Sequence, residues 1–173
     1  MACDLRESLL AEMRAVFGQD CKRIDHTMTV LGWAERIADG EPGDRTVVTA
    51  AAILHDIGTA AAEARHGSAA ARFQELDGPP IAREIMQRCG ADAATTEHVC
   101  RIVANHHSAR DIDTPEFRIV WDADWIVNIP GMYPDADRAK LAGVIGKVFR
   151  TTTGRRLAGQ LLLEKADSGG SCG

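Results

Sequence analysis

The sequence predicts an all-α protein folded as a single domain. Apolar residues recur every three or four positions along nearly the whole chain, and no segment shows the alternation that is typical of strands. The chain has 173 residues, of which 45% are hydrophobic and 26% charged, so it is long enough for one domain with a sizeable core. It contains no internal repeat and no linker that would divide it.

The first three helices are predicted from apolar stripes that end at clear breaks. The first stripe consists of Leu5, Leu9, Met13 and Val16. A second helix is predicted for about residues 22–39, with Gly40 ending it in the left-handed conformation. The third begins after Asp44 as N-cap and ends at Gly58; its alanines allow close packing in the core.

Glycine and proline set the boundaries predicted for the middle of the chain. A fourth helix is expected over Gly67–Leu76, stopped by the sequence DGPP, and a fifth over Ile81–Cys89. Thr95 or Thr96 is expected to cap a sixth helix that runs through His107.

The start of the seventh helix is the clearest boundary in the sequence. Thr114 is suited to the N-cap and Pro115 to the first helical position, and the helix should extend to about Asn128. The segment PGMYP is expected to be a loop. Two further helices are predicted, over about residues 136–149 and 155–165.

Composition and charge exclude several classes of protein. No run approaches the roughly 18 apolar residues of a membrane span, and the N-terminal MACDLRESLL carries acids where a signal peptide carries bases. A net charge of -5 argues against a dedicated nucleic-acid binder. Five cysteines without a CxxC pair fit reduced thiols, so we expect a cytoplasmic protein.

The pair His55-Asp56 stands at the end of the apolar third helix. A charged aspartate is costly in a buried helix unless something compensates it, and a metal ion does so efficiently. The alternative is an aspartate exposed where the helix frays. His26 lies on the apolar face of the second helix, where a lone histidine is more often a packed core residue than a ligand.

Other imidazoles and carboxylates interrupt apolar faces further along the chain. Asp122 and Asp124 lie inside the seventh helix, and at least one of them should face a cation. His106 and His107 end the sixth helix. One shared metal centre accounts for all these positions, and imidazoles mixed with carboxylates suit Mn, Fe, Co, Ni or Zn at an open site.

Four segments together resemble the HD superfamily of metal-dependent phosphohydrolases. They are KRIDHTMTVLGWAERIA, AAILHDIG, VANHH and DADWIVN, and the resemblance covers about residues 22–130. It implies an HD-type helical bundle of about seven to nine helices around a metal site. It also implies that four residues bind the first metal ion: His26, His55, Asp56 and Asp124. Asp122 is the alternative to Asp124.

Some members of that superfamily hold a second ion. The resemblance then implies that Asp56 bridges the two ions and that three histidines complete the coordination of the second ion: His66, His106 and His107. The cofactor expected is one or two divalent ions, with Mg²⁺ also acceptable. Which metal is bound, and whether one ion or two, stays open.

The segments HT and HG, with Arg23 before the first histidine, are similar to the branch that hydrolyses symmetrical dinucleoside polyphosphates. An arginine that follows the late aspartate in that branch is missing, as is the GYP signature of cyclic dinucleotide phosphodiesterases. The substrate expected is therefore a small nucleotide-like phosphate compound. Its phosphates would be met by Arg23 or Arg110.

The resemblance implies hydrolysis of a phosphoester or phosphoanhydride by metal-activated water, with Asp56 and Asp122 as catalytic residues. A di-iron oxygenase and a non-catalytic binding module are the alternatives. No membrane partner is expected, and a homodimer could form through the terminal helices.

The resemblance and the helical pattern together predict four parts of the chain. We expect an N-terminal helix in residues 1–21 that packs on the core, the HD domain in residues 22–130, C-terminal helices in residues 131–166 that complete it, and a flexible tail in residues 167–173.

Overall fold

A computed structural model describes residues 4–164, and that part of the chain is entirely helical. It contains nine α-helices and one π-helical turn, Gly159–Leu163, without any strand, so the predicted all-α class is confirmed. The α-helices are α1 Leu5–Phe17, α2 Cys21–Ala38, α3 Arg45–Leu54, α4 Thr59–His66, α5 Ala71–Arg88, α6 Ala93–Val103, α7 Pro115–Met132, α8 Arg138–Val148 and α9 Thr152–Ala158. The predicted flexible tail, 167–173, lies outside the described residues.

Helix α3 forms the centre of the core. Residues 50–54 are all fully buried, because α1, α2, α6 and α7 pack around them. By length and composition alone, the segment Arg45–His66 could cross a membrane, although it contains no run of about 18 consecutive apolar residues. In the structure, 67% of its most apolar window is buried within the protein. Burial of that kind is typical of the central helix of a globular core.

The first three helices begin close to where they were predicted, but α3 ends at Leu54 and not at Gly58, and the end of α2 also differs. The Asp44 carboxylate accepts the backbone N–H of Thr46 and caps α3 as expected. Gly40 is not left-handed, contrary to the prediction. Its lack of a side chain serves packing instead, because a Cβ atom there would lie 2.5 Å from Thr153 Oγ1.

The prediction for the fourth and fifth helices is wrong. Helix α4 ends where the fourth helix was expected to begin, with left-handed Gly67 as its C-cap, and α5 runs through the DGPP sequence without a break. Proline normally disrupts a helix interior. Here Gly78 lies directly against Gly58 and Val103, with no room for a Cβ at either glycine, so α5 packs closely on the core at this point.

Several later boundaries also differ. Asp92 caps α6 instead of Thr95 or Thr96, since its carboxylate accepts the Thr95 N–H. Helix α6 ends at Val103, so His107 follows the helix and does not lie within it.

Near the C-terminus two helices extend past one predicted limit, whereas α8, Arg138–Val148, is shorter than the predicted 136–149. Helix α7 starts at Pro115 as predicted but continues through Pro130, into the expected loop. Helix α9 begins three residues earlier than expected, because Thr151 caps it through the N–H of Gly154.

Candidate metal centre

Two groups of imidazole and carboxylate side chains meet where α2, α7 and the ends of α3 and α6 converge. In each group, the ligand atoms lie within 4.8 Å of one another. The first ligand group is His26, His55 and Asp124, and the second ligand group is Asp56, His106 and His107. The structure therefore brings together six of the seven residues expected to bind metal.

The first ligand group joins three separate elements. His26 projects from α2, His55 follows the end of α3, and Asp124 lies in α7. The Nε2 atoms of the two histidines are 3.3 Å apart, and Asp124 Oδ1 lies 3.2 Å from that of His26 and 3.7 Å from that of His55. Three ligand atoms thus point at one small volume.

Asp56 connects the two groups. Its Oδ2 atom lies 3.4 Å from Nε2 of both His26 and His55. Its Oδ1 atom lies 3.3 Å from Nε2 of His106. Each carboxylate oxygen therefore faces a different group, and the residue is placed to contact two ions at once.

Backbone carbonyls orient the two most buried histidines. Nδ1 of His55 lies 2.8 Å from the Ala52 carbonyl oxygen, and Nδ1 of His106 lies 2.7 Å from that of Val103. Because Nδ1 donates in both rings, Nε2 is the nitrogen that can bind a metal when the ring is neutral.

The donor set fits a divalent cation. Nε2 of His106 is buried and makes no well-aligned hydrogen bond with a described residue, although Asp56 Oδ1 lies 3.3 Å away. Such a nitrogen is costly to bury unless something else satisfies it. Asp56 and Asp124 are held ionised beside these rings. Imidazoles and carboxylates without thiolates suit the transition metals expected from the sequence.

The pKa values reflect this crowding. Burial alone would lower the pKa of His55, but the Asp56 and Asp124 carboxylates raise it to about 9. Burial works against ionisation of Asp56, yet His55 and His106 hold its pKa well below the usual range. Desolvation, reinforced by His106, lowers the pKa of His107 to about 4. In the absence of metal the two carboxylates therefore stay ionised, and His55 holds a proton at neutral pH.

A cleft of about 290 Å³ opens onto the centre. Its lining includes four residues outside the two ligand groups: Lys22, Arg23, Gln74 and Asn128. Nδ2 of Asn128 donates to Asp124 Oδ1 at 2.8 Å and orients that carboxylate. Gln74 accepts from the Thr59 hydroxyl and donates to the Ala69 carbonyl, which fixes the cleft wall.

The sequence interpretation assigned no role to Gln74 or Asn128. Asn128 stands four residues after Asp124, so the two side chains share a helix face, and this spacing is a signal that could have identified it. Gln74 comes from the helix whose course was wrongly predicted, and no local pattern marks it.

His66 is the predicted ligand that the structure does not bring to either group. Its Nε2 lies 3.0 Å from Asp77 Oδ2, and its ring stacks on Phe73 with 4.1 Å between centroids. Arg65 also reaches Asp77, at 2.9 Å. In this arrangement His66 ties the end of α4 to α5.

Asp122 does not face the centre, contrary to the catalytic role expected for it. Two residues along a helix turn the side chain by about 200°, so Asp122 and Asp124 project to nearly opposite sides. Asp122 is fully buried and accepts the N–H groups of Arg150 and Thr151 and the Thr151 hydroxyl. Burial raises its pKa to about 6 in spite of these donors.

The two arginines proposed to meet substrate phosphates are placed differently. Arg23 lines the cleft, although its guanidinium already contacts Glu63 at 2.7 Å and Asp20 at 3.3 Å. Arg110 is exposed beyond the end of α6 and is not among the residues that line the cleft. Phosphate recognition by Arg110 therefore has no support from this geometry.

Comparison with known proteins points to one family. A family model described as the HD domain matches residues 23–129, which is more than half of the chain. A crystal structure of a predicted HD superfamily hydrolase from an uncultured Thermotogales bacterium is similar, with a TM-score of 0.70 and 23% identity over 94% of this chain and 87% of that chain. At that identity the likeness shows the fold. No curated protein matches the chain.

Proposed function

The chain belongs to the HD domain family, and we propose that it is a cytoplasmic, metal-dependent phosphohydrolase that cleaves a phosphoester or phosphoanhydride in a small nucleotide-like molecule. One observation carries this proposal. Asp56 of the second ligand group also faces the first, and it lines a cleft that Lys22 and Arg23 line as well. Cations beside a metal centre are suited to an anionic substrate.

The protein's own residues hold the reacting groups in place. His26, His55 and Asp124 would bind one divalent ion, His106 and His107 would bind a second, and Asp56 would contact both. A divalent ion bound there supplies Lewis acidity that activates water and neutralises charge on phosphoryl oxygens. Asn128 keeps the Asp124 oxygen aimed at the centre through its hydrogen bond.

Lys22 and Arg23 have different capacities to bind phosphate. Lys22 is exposed at the cleft and forms no ion pair with a described residue, whereas Arg23 is shared between Glu63 and Asp20. Lys22 can therefore meet a phosphate without breaking a contact. Arg23 is held in a fixed position and contributes its guanidinium where Asp20 and Glu63 leave donors available.

The proposal is tested by metal analysis of the purified protein, followed by phosphate release from nucleotides, dinucleoside polyphosphates and cyclic nucleotides. The same assay is run on Asp56→Ala and on Asp25→Ala, which removes an exposed carboxylate next to His26. We expect release with at least one of Mn²⁺, Fe²⁺, Co²⁺, Ni²⁺ and Mg²⁺. Asp56→Ala should lose both metal and activity, and Asp25→Ala should keep both.

Three results would contradict the proposal. Absence of phosphate release with every metal would rule out phosphohydrolase activity, and uptake of dioxygen by the iron-loaded protein would favour an oxygenase. Unchanged metal content in Asp56→Ala would rule out the metal centre itself.

A homodimer through the terminal helices stays a prediction, which the mass of the protein in solution would test.

A further inference from the structure

The two histidines of the second ligand group lie on a turn that follows α6. This segment, the HH turn, comprises residues 104–109 and carries His106 and His107. It ends at Ala109, which has a φ of 52° and is the one non-glycine residue among those described with positive φ. That conformation costs an alanine about 1 kcal/mol. Contacts elsewhere must therefore hold the HH turn in its shape.

The His106 ring interrupts the helical hydrogen bonds at the start of this turn. In a continuous helix the His107 N–H would donate to the Val103 carbonyl. Here Nδ1 of His106 lies 2.7 Å from that carbonyl oxygen. The His106 ring thus contacts the carbonyl at the point where the helical bonds stop, and the His107 N–H bonds to another acceptor.

Glu75 supplies that acceptor from α5. A single carboxylate oxygen, Oε1, accepts the N–H of His107 at 3.0 Å and the N–H of Ser108 at 2.8 Å. Thirty-two residues of chain separate Glu75 from His107, so this is a tertiary contact and not a local cap. Hydrogen bonds from two N–H groups to one carboxylate are among the stronger that a half-buried side chain makes.

The other histidine with the same ring orientation is followed by a turn that is bonded locally. At the end of α3, His55 also directs Nδ1 to a carbonyl, that of Ala52. The chain there closes with local bonds, since the Ile57 N–H donates to the Leu54 carbonyl. The turn after His55 is thus bonded locally, while the HH turn is bonded to α5.

We infer that Glu75 is a positioning residue for the second ligand group: by accepting the His107 and Ser108 N–H groups, it leaves the Val103 carbonyl to His106 and so keeps Nε2 of His106 directed at Asp56. The inference rests on the metal centre of the proposed function. It concerns binding of the second ion, independently of which substrate is cleaved.

The test is calorimetric titration of EDTA-treated protein with Mn²⁺, for wild type, Glu75→Ala, Glu75→Gln and Glu84→Ala. Glu84 is an exposed carboxylate on the same helix and serves as the matched control. We expect wild type and Glu84→Ala to bind two ions. Glu75→Ala should bind the second at least about tenfold more weakly, with the first affected less than about twofold.

Glu75→Gln separates positioning from general destabilisation. Its amide oxygen can still accept both N–H groups, so the second affinity should return to within about threefold of wild type. A ¹⁵N spectrum of the metal-free protein should show the His106 proton on Nδ1 in wild type and Glu75→Gln, and a changed signal in Glu75→Ala. Neither the titration nor the spectrum requires activity. An inactive protein would therefore refute the proposed function without affecting the inference about Glu75.

Two outcomes would overturn the inference. One is a wild type that binds a single ion, because the second ligand group would then not be a site. The other is a Glu75→Ala protein that binds its second ion as tightly as wild type and keeps the His106 signal.

Discussion

Asp122 and Asp124 lie two residues apart on α7, and they differ in nearly every physical respect. Asp124 points into the metal centre, where burial opposes its ionisation but His26 and His55 hold its pKa below the ordinary value. Asp122 points to the start of α9, where burial raises its pKa to about 6. One carboxylate faces imidazoles, and the other faces backbone and hydroxyl donors.

The difference shows that the partner decides what a buried aspartate does. Donors that belong to Arg150 and Thr151 satisfy Asp122 completely, so it joins α7 to the C-terminal helices. Asp124 accepts from Asn128 through Oδ1 and otherwise faces ligands of the centre. Stability and metal binding should therefore separate when the two residues are changed one at a time.

Replacing Asp124 with alanine should have the largest effect on the centre. Loss of the carboxylate removes one of three atoms in the first ligand group, so metal affinity there should fall by about 100-fold or more. Metal analysis after dialysis and calorimetric titration measure this. Retention of wild-type metal content would show that Asp122 and Asp124 have been assigned the wrong way round.

The Asp122→Ala protein should instead unfold more easily, with a metal affinity within about twofold of wild type. Three donors lose their acceptor, which should lower the free energy of unfolding by about 3 kcal/mol. For a chain of this size that corresponds to a fall in Tm of roughly 6–12 °C. Thermal unfolding followed by circular dichroism checks it, with Asp135→Ala as an exposed control. A stable variant that has lost its metal would break the comparison.

The sequence could predict the existence of the centre but not the division of labour between these aspartates. Helical spacing showed that the two carboxylates point to different sides of α7 without showing which side meets His26. That depends on how α2 and α9 pack against α7, and residues distant in sequence determine the packing. The resemblance to a known motif favoured Asp124, and the geometry agrees.

The fold was predictable where local signals act alone. The Thr114 cap and Pro115 placed the start of α7 correctly. The proline pair in α5 misled because close packing of Gly78 on Gly58 outweighs the local preference of proline to end a helix. For the same reason no sequence pattern revealed Gln74 or Glu75, whose partners are brought near only by the packing of α5.

Metal affinity should depend on pH through His55. Because its pKa in the metal-free protein is about 9, a proton must leave His55 before a metal binds at neutral pH. Affinity should therefore rise about tenfold per pH unit between pH 7 and 9 and level off above that range. Calorimetry in buffers of different ionisation enthalpy measures the released proton. Asp122→Asn should show the same slope, and a slope that changes with Asp122 would mean that the two sides of α7 are coupled.

Replacing Asn128 with alanine should have the smallest effect on the metal-facing side. Asn128 does not belong to either ligand group, but its Nδ2 atom donates to Asp124 Oδ1 at 2.8 Å and so limits rotation of that carboxylate. Loss of such an orienting bond weakens metal binding by about tenfold. Gln160→Ala, which removes an amide that accepts from Arg156 on α9, is the matched control and should bind metal as wild type does. Asn128→Ala could instead lower Tm as strongly as Asp122→Ala and leave metal affinity unchanged. That result would mean that Asn128 stabilises the fold and does not orient a metal ligand.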